Sequence, residues 1–193
     1  MKLTLITPTF GRSTLADLVQ EVVPQLKKGD EFIVVGDGPV PLAREMARMV
    51  PGVTYMETPE HTGDYGATPI DYAIERAQGD FVWFIGDDDL PTGHAFEIVR
   101  KGVCRNLTLP HIFAMLHTGR ILSGSAKVCQ VSGQQIVIPR NMKKMPKYAG
   151  YPKKDEAISD WVFIDRVLRA FGGVVFHKEI IAVLERQNCG RDM

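Results

Sequence analysis

Apolar and polar positions alternate along this chain in two rhythms. Leu3-Thr4-Leu5-Ile6-Thr7, Glu31-Phe32-Ile33-Val34-Val35 and Val53-Thr54-Tyr55-Met56 are short runs rich in β-branched residues and read as strands, separated by Gly, Pro and polar punctuation. Between them apolar residues recur at helical spacing. Leu15, Leu18, Val19, Val22, Val23 and Leu26 form one stripe, opened by Ser13 or Thr14 and kinked or ended by Pro24, and Leu42–Val50 carries a shorter one. A polar loop over Thr58–Gly66 holds His61 and Asp64. Helix signals resume at Thr68-Pro69, with Thr68 expected at the N-cap, Pro69 at the first helical position and Asp71 near the positive end of the dipole. Ile70, Ala73, Ile74 and Ala77 then face inward until Gly79 stops the helix.

Phe81-Val82-Trp83-Phe84-Ile85 is apolar without alternation, the mark of a strand buried on both faces. Strand–helix alternation up to this point predicts an α/β fold: a mostly parallel, Rossmann-like sheet flanked by helices, whose ligand crevice lies at the strands' carboxyl ends. Beyond Pro91, Thr92 is expected to cap a helix from about His94 to Cys104, and the pattern then changes. His111–Leu116, Arg120–Leu122, Ala126–Val131 and Gln135–Ile138 read as short strands of a small antiparallel C-terminal add-on. Ser159 or Asp160 opens a helix with Trp161, Ile164, Val167, Leu168 and Phe171 on its apolar side, closed by Gly172-Gly173. Val174–His177 and Ile180–Leu184 finish the fold as strands.

Length and charge narrow the classes. The 193 residues fit one unit, 1–193, divisible into halves 1–104 and 105–193. Twenty-three basic and twenty-three acidic residues cancel, so any polyanion must be bound locally. The opening residues are too short and too interrupted by threonine for a signal-peptide core, and no apolar run approaches ~18 residues; the expectation is a soluble cytoplasmic protein with no membrane segment. Cys104, Cys129 and Cys189 are odd in number and widely spaced, which argues against a disulfide framework and against a zinc site.

Gly86 releases the buried strand into Asp87-Asp88-Asp89. Adjacent carboxylates repel one another by roughly 1–4 kcal/mol per pair at intermediate dielectric, so they persist most easily around a cation or a cluster of donors. Oxygen-rich sites of this kind favour Mn²⁺ or Mg²⁺; the alternative is a solvated turn. The second strand ends in Gly36-Asp37-Gly38-Pro39. This is no dinucleotide fingerprint, because the third glycine is absent and Pro41 intrudes, yet Asp37 stands where open α/β sheets bind ligands. Residues 139–154 carry Arg140, Lys143, Lys144, Lys147, Lys153 and Lys154 and no acid, with Tyr148 and Tyr151 interleaved. That stretch reads as a lid over phosphates or as a solvated loop.

Taken together these pieces resemble the family 2 type of GT-A glycosyltransferases, the inverting, nucleotide-sugar-dependent kind. Ile6-Thr7-Pro8-Thr9-Phe10-Gly11-Arg12 is similar to that family's first strand and turn, Val34-Val35-Gly36-Asp37-Gly38 to its second, and Gly79 through Asp89 to its metal-binding D-x-D strand. Ser159-Asp160-Trp161 followed by Arg166 resembles its acidic catalytic motif. The resemblance implies a UDP- or GDP-sugar donor contacted by Thr7, Pro8, Thr9, Arg12, Asp37, Gly66, Asp71, Asp87 and Asp88. It implies a metal on Asp89 and Asp87 with a late ligand from His177 or Gln187, and Asp160 as the base that deprotonates an acceptor hydroxyl. Asp160 as a plain helix cap is the competing reading.

Two departures stand out. The family's Arg-Asn pair before the D-x-D strand is replaced by Ile70-Asp71, which makes the 139–154 lid its expected substitute, and a single acid ends the second strand. The stretch Gly133-Gln134-Gln135-Ile136-Val137-Ile138-Pro139 resembles small glycosyltransferase-like proteins of bacteriophages and actinobacteria, which implies a host-cytoplasmic location and a modified DNA base as acceptor, with the basic loop on the backbone. Two other functions remain open. A nucleotidyltransferase of similar topology would want a glycine-rich basic loop where residues 8–12 offer only Gly11 and Arg12, and a non-catalytic nucleotide-sugar-binding module would fit the small size.

Overall fold

The computed structural model describes residues 1–123, 130–150 and 156–184, the backbone alone at 156–159. Three βα units come first: β1 (Leu3–Thr9), α1 (Leu15–Val22), β2 (Glu31–Gly36), α2 (Pro41–Met49), β3 (Val53–Glu57) and α3 (Ala67–Ile74). Then follow β4 (Phe81–Phe84), β5 (Leu90–Pro91), α4 (Ala95–Val103), β6 (His111–His117), β7 (Arg120–Leu122), β8 (Ile136–Pro139), α5 (Glu156–Phe171) and β9 (Val175–Leu184). One sheet holds all the strands in the order β3-β2-β1-β4-β8-β6-β9-β5, with β7 beside β6. β3, β2, β1 and β4 are parallel as expected. The late strands continue the same sheet: β8 lies antiparallel between β4 and β6, and β9 runs parallel to β6.

Both faces of the sheet are covered, which is why its central strands are apolar throughout. Leu3, Leu5, Phe32, Val34 and Trp83 pack under α1, α2 and α4, while Ile6, Ile33, Val35, Val82 and Phe84 pack under α3 and α5. The first strand, read from sequence as Leu3–Thr7, runs on through Pro8 to Thr9. β4 pairs with β1 only as far as Ile6 and Phe84, so beyond that point β1 has a free edge on this side that tolerates a proline. The gap left between β1 and the end of β4 is the crevice.

Several local expectations change. α3 starts at Ala67, with Gly66 in the left-handed region at the N-cap; Thr68 is inside the first turn, where Asp64 accepts its N–H (3.0 Å) and its hydroxyl (2.6 Å). Thr14 precedes α1 without a side-chain cap, and Pro24 sits in a 3₁₀ turn over Val23–Gln25. The two strands expected over Val174–Leu184 are one, with a register shift against β6. The strand expected over Ala126–Val131 falls mostly on 124–129, outside the described residues. No described helix is long and apolar enough to cross a membrane.

Candidate active site

The crevice at the carboxyl ends of β1, β2 and β4 collects the acidic residues. Ile85 makes the last bridge to β1, its N–H donating to Ile6 at 3.1 Å, and the chain then turns at Gly86. A Cβ on Gly86 would stand 2.9 Å from Asp88 Oδ1 and 3.2 Å from Asp89 Oδ2, so the carboxylates need a glycine there. After the triplet β5 pairs with β9, so Asp87–Asp89 is held at both ends.

The three carboxylates have different surroundings. Asp87 is buried and fully engaged: Thr9 Oγ1 donates to Oδ2 (2.6 Å) and Arg12 Nη1 to Oδ1 (2.9 Å). Arg12 also lies 2.8 Å from Oδ2 of the exposed Asp88, so one guanidinium offsets two charges. Asp89, only 2% exposed, accepts from Gln134 Nε2 at Oδ2 (2.6 Å), while its Oδ1 is buried with no hydrogen-bond partner among the described residues. Burial, followed by the charges of Asp88 and Asp87, pushes its carboxyl up to about 7.

An orphaned carboxylate oxygen in an acidic, desolvated corner fits a divalent cation. Among the described residues no three His, Cys, Asp or Glu side chains converge as a cage. Such sparseness matches Mg²⁺ or Mn²⁺, which take one or two carboxylates and complete their shell with water and phosphate oxygens.

Asp160 reaches this corner through a turn that sequence reasoning did not assign. It lies inside α5, at the fifth position, which removes the helix-cap reading. Its Oδ1 accepts from Tyr148 Oη (2.6 Å), and its Oδ2 from Gly133 N (2.8 Å) and Ser132 Oγ (3.0 Å). The single Ser132 hydroxyl proton is shared between Asp160 Oδ2 and Gln134 Oε1, and the Gln134 amide nitrogen holds Asp89, so one turn positions both carboxylates. The turn is rigid: Ser132 and Gln135 form a capping box, Gln135 Nε2 donates to Phe113 O (2.8 Å), and Trp83 Nε1 donates to Gln134 O (2.7 Å). The Ser-x-x-Gln spacing was the available signal for it. Tyr148 is buried, stacked on Phe163 with centroids 4.2 Å apart.

On the other side of Thr9, Asp37 organises the loop over 58–66. Its Oδ1 accepts from Thr62 N and Oγ1 (2.7 Å each), and its Oδ2 from Gly63 N (2.9 Å), with His61 Nδ1 3.1 Å away. Burial raises its pKa, but these donors outweigh burial and hold it below the usual carboxylate range. His61 meets the exposed Phe10 edge to face at 5.9 Å, so two rings stand over the mouth of the crevice. Gly66 closes against Pro8, since a Cβ there would lie 2.7 Å from Pro8 Cβ, and Thr7 Oγ1 is buried without a partner among the described residues.

Three expected participants are elsewhere. Asp71 spends both oxygens on the N–H groups of Tyr148 (2.7 Å) and Ala149 (3.0 Å), tying down the chain that carries Tyr148. His177 is buried at the start of β9, 2.8 Å from His111 Nδ1 and stacked on Phe113 at 4.2 Å. β9 meets the triplet's end of the sheet only at Val183, which pairs with Leu90, roughly 20 Å further along an extended strand; His177 is therefore a core residue and not the late ligand. Gln187 lies outside the described residues. The described part of the basic stretch is not a lid: Pro139 pairs with Phe81 at the amino end of β4, and Arg140–Lys144 wrap that opposite end. Lys147 pairs with Glu75 at 2.7 Å, and Lys153 and Lys154 lie outside the described residues.

The sheet order and the carboxylate-lined crevice define a GT-A fold. The family model for glycosyl transferase family 2 matches residues 4–110, more than half of the chain, and the chain belongs to that family. Among solved structures it is similar to S. aureus TarS 1-349 in complex with UDP-GlcNAc, with a TM-score of 0.76, 14% identity, and 95% of this chain and 58% of that chain covered. It is also similar to the mannosyltransferase PcManGT from Pyrobaculum calidifontis in complex with GDP-Man and Mn2+, with a TM-score of 0.72, 15% identity, and 96% and 58% covered. The chain thus spans somewhat under two thirds of the length of these structures. No curated protein sequence matches it.

Proposed function

We propose that this protein is a metal-dependent inverting glycosyltransferase that moves a sugar from a UDP- or GDP-sugar to an acceptor hydroxyl, with residues 1–193 acting as one unit. The observation that carries this is the orphaned Oδ1 of buried Asp89, joined through the Gln134–Ser132 turn to Asp160. A divalent cation, Mn²⁺ or Mg²⁺, would be held by Asp89 with Asp87 behind it, and would supply neutralising charge for the departing diphosphate. Family membership and neighbours solved with UDP-GlcNAc and with GDP-Man and Mn2+ support the donor class.

In this reading Phe10 and His61 receive the nucleoside base while Asp37 keeps their loop in place, and Arg12 screens the acidic wall where phosphates approach. Asp160 takes the acceptor hydroxyl's proton as that oxygen bonds to the anomeric carbon and the carbon–phosphate oxygen bond breaks, the electron pair leaving on the nucleoside diphosphate. Tyr148 and Ser132 hold the carboxylate in aim. A DNA acceptor loses its main support, because Arg140–Lys147 does not line the crevice. Incubation with a panel of UDP- and GDP-sugars, Mn²⁺ and simple alcohol acceptors should release nucleoside diphosphate and glycoside. Pyrophosphate release would make the protein a nucleotidyltransferase, and nucleotide-sugar binding with no turnover across the panel would make it a binding module.

A further inference from the structure

A cavity of about 970 Å³ lies at the amino ends of β1 and β4, at the end of the sheet opposite the carboxylates. Leu107 and Met142, both exposed, and the end of α5 at Phe171 give it an apolar wall, and Thr108 and Asn141 add polar groups. Arg140, Lys143 and Lys144 line it as well, and among the described residues no carboxylate pairs with any of them. Its one acid, Asp80, is engaged by Lys2 N at 2.7 Å.

These cations are not scattered along a loose loop. Arg140 is pinned by its own N–H to Asp80 O (2.9 Å) and by Nε to Gly79 O (2.9 Å), and its two terminal nitrogens have no hydrogen-bond partner among the described residues. Asn141 then folds the next residues into a turn, accepting from the N–H groups of Lys144 and Met145 at 2.9 Å each and, through Oδ1, from Lys143 N at 3.2 Å. Lys144 Nζ stands 5.6 Å from the centre of the Phe171 ring, joining charge to the apolar wall.

We propose that this cavity is a second binding site, for a small organic phosphate: a dianionic phosphate held by Arg140, Lys143 and Lys144, carried on an apolar or aromatic group that lies against Leu107, Met142 and Phe171. Three cations with no carboxylate partner among the described residues suit a dianion. The volume is far larger than one phosphate needs and matches a ligand of ordinary small-molecule size. The site is independent of the sugar-transfer reading, since none of its residues touches the crevice.

The test is two-dimensional NMR of the full chain titrated with phenyl phosphate, inorganic phosphate and a deoxythymidine tetranucleotide. Phenyl phosphate should shift the amides of Leu107, Thr108, Asn141–Lys144 and Gly172 and saturate. Inorganic phosphate should bind the same residues about tenfold more weakly, as expected for losing roughly 60 Å² of apolar contact. K143A/K144A should abolish both effects with an unchanged melting temperature, and a single L107S should weaken phenyl phosphate selectively. Shifts that rise linearly without saturating, that persist in K143A/K144A, or that fall on Arg12 and Thr9 instead would overturn the proposal. So would saturable binding of the tetranucleotide alone, which would assign the cations to a nucleic-acid backbone.

Discussion

Asp89→Asn separates a metal-ready carboxylate from a structural one without reference to any substrate. The folded state holds the Asp89 proton more tightly than the unfolded chain does, about 7 against 3.8, so ionising it opposes folding. The opposing free energy grows as pH rises through this window, from about 2 kcal/mol at pH 5 to about 4 kcal/mol at pH 8. Asparagine keeps an oxygen for Gln134 and removes the charge; whatever its buried amide costs, about 1–3 kcal/mol, is the same at both pH values. In EDTA, urea unfolding should therefore show the variant gaining roughly 2–3 kcal/mol on wild type between pH 5 and pH 8. Added Mn²⁺ should stabilise wild type at pH 8, far less at pH 5, and leave the variant unmoved. A wild-type-to-variant difference that is flat with pH would refute the argument that Asp89 is a strained carboxylate awaiting a cation.

Asp160→Asn should fold and bind nucleotide normally yet transfer sugar at least about a hundredfold more slowly, because amide nitrogen and oxygen take no proton at neutral pH; near-wild-type turnover with chemistry rate-limiting would remove it as the base. Gly102→Ala should destabilise by ~1–3 kcal/mol in urea despite alanine's helix preference, since the new Cβ would stand 2.6 Å from Phe113 Cζ and 3.0 Å from His177 Cε1; a neutral or stabilised variant would contradict that packing. Burial, and then neighbouring His111, pull His177 down to about 4. Its share of stability is therefore complete above the unfolded value of about 6.5 and is lost as pH falls towards 4. His177→Phe should lose roughly 1–3 kcal/mol less than wild type between pH 7 and pH 4, and an equal acid loss would mean that His177 takes up its proton without opening the core.

The sequence by itself determined what depends on near neighbours. An unbroken apolar run over Phe81–Ile85 can only be a strand covered on both faces, and Gly86 at its end delivers three carboxylates to the side of a parallel sheet where ligands bind. Apart from the two-residue β5, the order of strands and helices through α4 followed from the same local periodicities, and so did Asp37's place at a strand's end. Even the α3 cap was misplaced by only two residues, Gly66 standing where Thr68 was expected, with Asp64 accepting the Thr68 N–H.

Tertiary structure alone decided which carboxylate oxygen is left without a partner, because Thr9, Arg12 and Gln134 arrive from three separate stretches to occupy the others. It turned Asp160 from a possible cap into a group facing the crevice, by docking α5 against the Ser132–Gln135 turn and Tyr148. It sent the basic stretch to the far end: a run of lysines records an affinity for water and anions, whereas the antiparallel pairing of β8 with β4 sets the direction in which the chain leaves the sheet. The same pairing logic moved His177 into the core, since a strand's direction and register come from partners distant in sequence and carry no local signature.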